Sequence, residues 1–330
     1  MNQTSRVSIV IPNYNGAVYL RDCLDAVRLQ NGEKPRVIVV DNGSEDDSLR
    51  LLAEEYPEVE LIRFESNTGF CGAVNAGITA SEEQDYVILL NNDTVVDPDF
   101  TRALTAAMDA DPRIFSAQAK MVSMQDPSVI DDAGNYYCAL GWAFARGKGK
   151  KDGDRYNRPR NLFSCCAGAA IYRKCILDEI GLFDENHFAY LEDTDIGWRA
   201  RIAGYRNVYA PQALVRHVGS ASSGSIYNLF KVRNSSRNSV YIIGKNMPLL
   251  QVIVNLPLLV PGFLVKALFF ARKGWGKEYI AGVRKGFALS RQGKAEGRKV
   301  RFKWHNLPHY LKIQWELWVA IVRRAAAFFC

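Results

Sequence analysis

The sequence predicts an α/β fold with a mostly parallel sheet, followed by a helical C-terminal region. Short apolar runs alternate with amphipathic segments up to about Leu90, and this rhythm implies right-handed crossovers between parallel strands. The 330 residues are 48% hydrophobic, which suits a large globular core. Residues 245–330 carry 16 Lys/Arg against 3 Asp/Glu (+13), whereas residues 1–244 carry 26 against 32 (−6). We therefore expect two domains, 1–244 and 245–330.

The elements of the first domain follow from the spacing of its apolar residues. Short apolar runs predict four strands, at Val7–Ile11, Val37–Val40, Leu61–Phe64 and Tyr86–Leu90. Helical spacing predicts helices at Val18–Leu29, Asp46–Glu55 and Phe70–Thr79, and a fourth from Pro98 to about Ala110. Ser44 is expected to cap the second helix.

The pattern becomes less regular from Ile114 to Tyr172. The polar, glycine-rich segment Arg146–Arg160 predicts a mobile surface loop. Beyond it we expect the following elements: a strand at Phe163–Tyr172, helices at Cys175–Ile180 and Thr194–Ala203, and strands at Asn207–Tyr209 and Ala213–His217. A glycine closes each of the two helices.

The basic C-terminal region combines apolar and cationic stretches. Met247–Val265 has 19 residues without a charge, but its three prolines argue against a straight spanning helix. Leu307–Phe329 predicts an amphipathic helix that carries Trp315 and Trp318. This composition favours an interfacial segment on an anionic membrane surface. The alternative is that the region packs on the first domain, residues 1–244, or forms a homodimer interface. Because the region contains no recognisable nucleic-acid-binding module, we do not expect RNA or DNA as a partner.

The cysteines and the N-terminus bear on the compartment. Seven cysteines without any Cys-x-x-Cys pair fit neither a disulfide framework nor a zinc site. The apolar stretch Val7–Ile11 is too short for the core of a secretory signal. We therefore expect a cytoplasmic protein.

Two strand ends carry polar motifs. The first turn reads Pro12-Asn13-Tyr14-Asn15-Gly16 and lacks the Gly-x-Gly-x-x-Gly pattern of dinucleotide sites, which argues against an oxidoreductase. The second strand ends in Asp41-Asn42-Gly43-Ser44, where Asp41 can accept a hydrogen bond from a base or ribose. A turn that caps a helix explains the same residues equally well.

Further carboxylates follow later in the chain. Asp93, in Asn91-Asn92-Asp93, offers the oxygen ligand that Mg²⁺ prefers, although it can equally cap a loop. Glu192-Asp193-Thr194-Asp195 places three carboxylates within four residues, which indicates a site or a helix cap. His217 ends the last strand; alone it is more typical of a structural histidine.

Taken together and in order, the motifs Val7–Asn15, Val39–Ser44, Asn67-Thr68-Gly69-Phe70 with Asn75, Asn91–Asp93 and Glu192–Asp195 resemble the family 2 glycosyltransferases, closest to the rhamnosyltransferase-like members. The resemblance covers about Arg6 to Val218. It implies a GT-A fold, a nucleotide-diphosphate-sugar donor, a divalent cation (Mg²⁺ or Mn²⁺) and inversion at the anomeric carbon. The implied nucleotide-sugar contacts are Pro12, Asn13, Tyr14, Asp41, Ser44, Asn67, Gly69, Asn75, Asn91 and Asn92. The implied metal ligands are Asp93 and His217, and Asn91 leaves Asp93 as the only carboxylate of its motif.

The same resemblance implies a catalytic set. Asp193 is expected to be the general base, with Glu192 and Asp195 positioning hydroxyls and Arg199 keeping the carboxylates ionised. The leading donor is dTDP-β-L-rhamnose, and the acceptor is expected to be a lipid-linked or cell-surface glycan at the cytoplasmic face of the membrane. The alternatives are another donor, such as UDP-galactofuranose or a UDP-hexose, and a non-catalytic nucleotide-sugar-binding scaffold.

Overall fold

A ten-stranded sheet forms the centre of the protein in the computed structural model, which describes residues 5–219 and 228–329. The sheet order is β10-β12-β6-β11-β4-β1-β2-β3, with β5 beside β12 and β7 beside β6, while β8 and β9 form a separate hairpin. The strands are β1 Val7–Asn13, β2 Arg36–Asn42, β3 Glu60–Phe64, β4 Tyr86–Leu90, β5 Thr94–Val96, β6 Ile114–Ser123, β7 Ile130–Asp132, β8 Asn135–Cys138, β9 Trp142–Ala145, β10 Arg160–Leu162, β11 Ala169–Arg173 and β12 Arg206–His217.

The first four strands pair in parallel, as the sequence predicts. Asn13 at the end of β1 lies opposite Asp41 on β2, and β1 also pairs with β4. The chain runs from β1 outward to β3 and then returns to β4 on the other side of β1. At such a reversal the carboxyl ends of the strands border a crevice that binds ligands in open α/β sheets. The remaining strands make the sheet mixed, because β11 runs antiparallel to β4 and β6.

Six helices cover the two faces of the sheet. They are α1 Ala17–Arg28, α2 Ser48–Glu55, α3 Gly69–Ala80, α4 Phe100–Asp109, α5 Lys174–Ile180 and α6 Glu192–Ile202. Alternate residues of β1 enter opposite cores: Ile9 and Ile11 pack on the side of α1 and α4, and Val10 packs on the side of α3. The buried strands thus hold their carboxyl ends between two helical layers.

Two predictions about the middle of the chain are wrong in detail. The strand expected at Phe163–Tyr172 forms only over Ala169–Arg173. The two short strands expected after Gly204 are one strand, β12, whose register shifts between Ala210 and Leu214, where Pro211 cannot donate to the ladder. The segment Arg146–Arg160 lies at the surface, as expected of a loop, and Tyr156 is its one fully buried residue, beneath the guanidinium groups of Arg146 and Arg155.

Four helices follow the sheet: α7 Leu229–Asn246, α8 Leu249–Arg272, α9 Gly276–Ala295 and α10 Leu307–Phe329. The division suggested by charge, between residues 244 and 245, falls inside α7. A third apolar core joins these helices to the body, since Trp198 of α6 packs in the same cluster as Leu259 of α8 and Leu317 of α10. The amphipathic helix expected at the C-terminus is present as α10.

Helix α8 is continuous from Leu249 to Arg272, although its prolines argue against a straight spanning helix. Pro257 and Pro261 both lie on its exposed face, four residues apart, where the missing N–H groups remove two bonds without ending the helix. Gly262 lies on the opposite, buried side against the backbone of Leu140, and its carbonyl accepts a hydrogen bond from Trp142 Nε1 (3.0 Å). By length and composition α8 is able to cross a membrane, and only 17% of its most apolar window is buried.

Candidate active site

The carboxyl ends of β1, β2 and β4 carry one hydrogen-bonded network. Asp41 is fully buried and accepts hydrogen bonds from the Asn13 side chain (3.1 Å) and the Ser44 backbone amide (3.0 Å). Asn92 donates to Asn13 Oδ1 at 2.7 Å, which extends the network to the end of β4. Ser44 belongs to this network through its hydroxyl, 3.2 Å from Asn13 Nδ2, and the prediction that it caps α2 is wrong because α2 begins at Ser48.

A loop beside this network is held by Asn42. The Asn42 amide donates to Asn67 Oδ1 (3.1 Å) and to the Gly69 carbonyl (3.0 Å). Gly69 has a φ of +81°, and a Cβ there would lie 2.6 Å from the Phe188 carbonyl oxygen. The glycine is therefore needed both for its backbone conformation and for the close approach of the segment before α6.

The other predicted nucleotide contacts differ in their surroundings. Pro12 pairs with Val40 within the sheet, and Tyr14 is 46% exposed just beyond β1. Asn91 is partly buried, and its side chain bonds to no group in the described ranges. The Asn75 side chain bonds to the backbone of Phe183. Its Nδ2 donates to the Phe183 carbonyl (2.9 Å), and its Oδ1 accepts from the Phe183 amide (3.0 Å).

The two predicted metal ligands lie together. His217 Nε2 is 3.2 Å from Asp93 Oδ1, because β12 pairs with β5 immediately after the Asn91–Asp93 motif. Asp131, which follows Ile130 in β7, bonds His217 Nδ1 at 2.8 Å and also pairs with Lys148. Burial lowers the pKa of His217, but the hydrogen bonds with Asp131 and Asp93 outweigh burial and raise it to about 9.

The chemistry of this donor set fits a divalent cation. Asp93 supplies a carboxylate oxygen and His217 an imidazole nitrogen, and the two atoms face each other. Asp131 holds the opposite ring nitrogen, which is the usual arrangement of a carboxylate behind a metal-bound histidine. One protein carboxylate with one histidine leaves positions for substrate phosphate oxygens and water, as Mg²⁺ and Mn²⁺ sites commonly require.

Glu192 and Asp193 begin helix α6, earlier than the predicted start at Thr194. Asp193 Oδ2 accepts a hydrogen bond from Asn135 Nδ2 (2.9 Å), and Oδ1 accepts one from the Thr194 amide (2.6 Å). Glu192 Oε2 is buried without a hydrogen-bond partner in the described part of the chain. Burial raises the pKa of both carboxyls, and the proximity of Asp193 raises that of Glu192 further. The pair can therefore take up a proton near neutral pH.

Asp195 lies on the other side of the same helix and is fully buried. Its Oδ2 accepts hydrogen bonds from Arg199 Nε (3.0 Å) and Lys245 Nζ (2.8 Å), and its Oδ1 accepts one from Asn246 (2.7 Å). Burial raises the pKa of Asp195, but the two cations outweigh this and hold it well below its usual range. We propose that Asp195 has a structural role in place of the predicted positioning of a hydroxyl, because two protein cations and Asn246 already hold its oxygens. Arg199 helps to keep this carboxylate ionised.

Asp184 and His187 complete a buried cluster with Asp195. Asp184 accepts hydrogen bonds from Lys245 (2.6 Å) and Arg298 (2.9 Å), so the cluster is already neutralised by protein cations. Burial lowers the pKa of His187 to about 4. This cluster joins α7 to the body, and its charge balance argues against a cation there.

The segment that leads into α6 has an unusual backbone. Phe188, Tyr190 and Leu191 all have positive φ values, between 59° and 72°. Such conformations cost free energy for residues other than glycine and persist where the surroundings hold them. Asn238 of α7 supplies this restraint, since its amide donates to the carbonyls of His187, Ala189 and Tyr190 at 2.7–2.9 Å. Helix α7 thus positions Glu192 and Asp193.

Sequence reasoning missed Asp131, Asn135 and Asn238. Asp131 and Asn135 lie in Ile130-Asp131-Asp132-Ala133-Gly134-Asn135, a polar run inside the stretch whose pattern is irregular. Two adjacent acids before a glycine are a detectable signal of a structured turn. Asn238 lies within a helix and has no local signal, because its importance comes from three carbonyls that are about fifty residues away in the chain.

The sequence matches the model of glycosyl transferase family 2 over residues 8–181, more than half of the chain. The chain belongs to glycosyl transferase family 2. This glycosyltransferase is 28% identical over 246 residues to an N-acetylglucosaminyl-diphospho-decaprenol L-rhamnosyltransferase from Mycobacterium tuberculosis. The alignment covers 67% of this chain and 78% of that relative. It is 25% identical over 218 residues to an O-antigen chain rhamnosyltransferase from Salmonella typhimurium, with coverages of 64% and 66%. The predicted rhamnosyltransferase-like character is confirmed.

Solved structures confirm the GT-A fold of the glycosyltransferase. GalNAc-T7 with UDP, GalNAc and Mn²⁺ matches with a TM-score of 0.58 at 16% identity, over 74% of this chain and 48% of that one. Residues 1–349 of Staphylococcus aureus TarS match with a TM-score of 0.53 at 15% identity, over 91% and 94% of the two chains. A mannosyltransferase from Pyrobaculum calidifontis in complex with GDP-Man and Mn²⁺ matches with a TM-score of 0.52 at 16% identity, over 90% and 89%.

Proposed function

We propose that this glycosyltransferase transfers L-rhamnose from dTDP-β-L-rhamnose to a hydroxyl of a lipid-linked glycan, with inversion at the anomeric carbon. Two relatives are named rhamnosyltransferases, which supports the donor. The relative from Mycobacterium tuberculosis is named for an acceptor on decaprenol diphosphate, which supports a lipid anchor. The exposed apolar helix α8 also supports this acceptor class, and with it a peripheral location at the cytoplasmic face of the membrane.

One observation carries the catalytic part of the proposal: a single short segment touches both charged centres. Asp131 bonds His217, and Asn135 bonds Asp193. Four residues of extended chain span at most about 14 Å, which supports a site in which the proposed metal ligands and the proposed base act together. A donor diphosphate at one side and an acceptor hydroxyl at the other would be brought together there.

Asp193 is the proposed general base. An acceptor hydroxyl must lose its proton as its oxygen attacks the anomeric carbon, and a carboxylate within hydrogen-bond reach accepts it. The raised pKa of Asp193 makes it a stronger base than an ordinary aspartate. Asn135 and the Thr194 amide hold its two oxygens in place, so that only the attacking hydroxyl has to be oriented.

Asp41, Asn13 and Asn92 are proposed to bind the nucleoside, with Asp41 accepting a hydrogen bond from the pyrimidine. Asp93 and His217 would hold the cation, Mg²⁺ or Mn²⁺, which when bound supplies electrostatic stabilisation of the diphosphate charge. Asp131 keeps the His217 ring oriented for this task.

The experiment is a donor screen with the purified full chain. dTDP-β-L-rhamnose, UDP-galactofuranose and UDP-glucose are each incubated with Mg²⁺, Mn²⁺ or a chelator, and release of the nucleoside diphosphate is measured. We expect turnover of dTDP-β-L-rhamnose that the chelator abolishes. Turnover of a UDP-sugar alone would replace the donor assignment, and no turnover of any donor would favour a non-catalytic binder.

The base is tested by Asp193→Asn, which keeps the shape and removes the charge. We expect transfer to fall by about 10²–10⁴-fold while the affinity for dTDP-β-L-rhamnose changes little. Asp178→Asn, at an exposed position on α5, is the matched control and should retain activity. Transfer by Asp193→Asn at more than about a tenth of the normal rate would remove Asp193 from the base role.

A further inference from the structure

The C-terminal helices enclose an apolar groove that the catalytic scheme does not use. It has a volume of about 580 Å³ and lies between α7, α8 and α9. Volumes of this size accommodate molecules of several hundred daltons. Its walls are aliphatic and aromatic, with Leu256 and Val260 on α8 and Ile280 and Phe287 on α9 each between 46% and 60% exposed. Such an extent of exposed apolar surface in a groove indicates a ligand or a membrane.

A second recess continues the groove at one end and is basic. It has a volume of about 370 Å³ and shares Gly244, Phe287 and Ser290 with the groove. Arg291, Lys294 and Lys299 line it. None of these three cations pairs with a carboxylate within residues 5–219 and 228–329. An apolar channel that ends in unneutralised cations is complementary to an amphiphile with an anionic head.

The outer surface of α8 indicates where this amphiphile comes from. Leu249, Leu250 and Leu268 are 64–73% exposed, and the face they occupy is continuous with the groove wall formed by Leu256 and Val260. A helix with this exposure rests in the acyl region of a bilayer, while Lys and Arg side chains remain among the headgroups. On a membrane in this orientation, the groove would face lipid and the recess would face the headgroup layer.

The groove is also close to the catalytic loop. Val240, Ile243 and Gly244 of α7 line the groove, and Asn238 of the same helix holds the carbonyls of the segment before Glu192. Six residues of helix between Asn238 and Gly244 correspond to about 9 Å along the axis. One helix thus separates the groove from the segment that positions the proposed base.

We propose that the groove and the basic recess bind the isoprenoid diphosphate anchor of the acceptor, with the hydrocarbon chain in the groove and the diphosphate in the recess. This inference rests on the proposed lipid-linked acceptor and adds the site that recognises it. The diphosphate favours this occupant over a bulk phospholipid, since three cations exceed what a singly charged headgroup needs.

The test measures binding of farnesyl diphosphate, a soluble isoprenoid diphosphate, to the full chain in detergent by titration calorimetry. The recess variant is Arg291→Glu/Lys294→Glu. The control is Lys277→Glu/Lys285→Glu, which makes the same charge change at exposed positions of α9 outside the recess. We expect the recess variant to weaken binding by about thirtyfold or more and the control variant by less than about threefold.

Further binding measurements distinguish an isoprenoid diphosphate from a free diphosphate and from a bulk phospholipid. Val283→Trp fills the groove and should weaken farnesyl diphosphate binding, whereas Leu268→Trp on the exposed face should not. Inorganic diphosphate should compete at least about tenfold less effectively than farnesyl diphosphate, because it forgoes the apolar contacts. Equal competition by inorganic diphosphate would show that the recess binds phosphate without the hydrocarbon chain, which would overturn the proposed isoprenoid site. Equal binding to the recess and control variants, or displacement of farnesyl diphosphate by phosphatidylglycerol vesicles, would overturn the proposal.

The calorimetric readout needs no glycosyl transfer. Failure of the rhamnose donor in the screen would leave the binding result unchanged, so the two proposals can fail separately. Circular dichroism of each variant shows whether it has folded, and Arg291→Gln/Lys294→Gln supplies a milder substitution at the same positions if the charge reversal does not fold. The milder variant is expected to weaken farnesyl diphosphate binding by about tenfold, and unchanged binding would count against the proposal.

Discussion

Replacing Lys245 by methionine tests whether the buried ion cluster joins the C-terminal helices to the body. Lys245 Nζ lies 2.6 Å from Asp184 Oδ2 and 2.8 Å from Asp195 Oδ2, and its side chain is 5% exposed. Methionine keeps most of the volume but leaves two buried carboxylates short of one cation. Removing one partner of a buried ion pair typically costs about 3–5 kcal/mol.

The remaining partners set the expected value within that range. Asp195 keeps Arg199 at 3.0 Å and Asp184 keeps Arg298 at 2.9 Å, so neither carboxylate loses all compensation. We therefore expect the free energy of unfolding to fall by about 3 kcal/mol at pH 7. Such a loss is large relative to the total stability of about 5–15 kcal/mol that is typical of folded domains.

The effect should depend on pH. Because the folded-state pKa of Asp195 is lowered, its ionisation contributes stability that is present above the unfolded value of about 3.9 and lost as pH falls through the folded pKa. Without Lys245 the pKa of Asp195 rises, and the carboxyl can take up a proton at a higher pH. The difference between variant and parent should therefore be largest near pH 7 and should shrink below about pH 5.

Urea denaturation, followed by tryptophan fluorescence to which the buried Trp198 contributes, measures both effects. Lys285→Met, at an exposed cation of α9, is the matched control and should change stability by less than about 0.5 kcal/mol. A loss below about 1 kcal/mol for Lys245→Met at pH 7, or a loss that is independent of pH, would refute the electrostatic account of this cluster.

Three further changes test the site. Asn135→Ala removes the hydrogen bond to Asp193, so the pKa of that carboxyl should rise. The acid limb of the pH profile of kcat/KM should then move up by about one pH unit, and an unmoved limb would contradict the role of Asp193 as the base. Gly69→Ala forces a Cβ to within 2.6 Å of the Phe188 carbonyl oxygen at a φ of +81°. It should lower both the melting temperature and the rate of transfer, and unchanged values of both would show that the segment before α6 can shift freely. Asp131→Asn should raise the Mg²⁺ or Mn²⁺ concentration needed for half-maximal activity by about 10–100-fold, and an unchanged metal requirement would dissociate Asp131 from the proposed ligands.

Much of the N-terminal half could be predicted because its signals are local. Apolar runs in Val7–Ile11 and Tyr86–Leu90 identify strands by themselves, and both are present within a residue or two of the expected bounds. Asn13 and Asp41 meet because parallel strands bring their carboxyl ends to one edge. The irregular stretch from Ile114 could not be assigned in the same way, since β6 pairs with β11 and β12, which are more than fifty residues further along.

Helix α8 shows a different limit. Its prolines lower the helix propensity of the segment, yet the helix continues because tertiary contacts hold it between and just after them. Leu259 and Gly262 pack against the third apolar core and the backbone of Leu140. Contacts of this kind depend on chain positions more than a hundred residues apart and have no counterpart in the local pattern.

The sequence by itself determined the order of strands and helices in the first ninety residues, the motifs at the strand ends and the concentration of positive charge in the last 86 residues. The tertiary structure decided which member of the carboxylate cluster meets protein cations and which meets Asn135. Asp193 and Asp195 are two residues apart, and a helix turns by about 200° over that interval, so the two side chains point in opposite directions. Asp193 faces Asn135, whereas Asp195 faces Lys245 and is sealed from solvent. The sequence spacing does not show which of the two carboxylates is buried against cations. Only the packing of β8 on one side of α6 and of α7 on the other distinguishes the proposed base, Asp193, from the structural ion pair of Asp195.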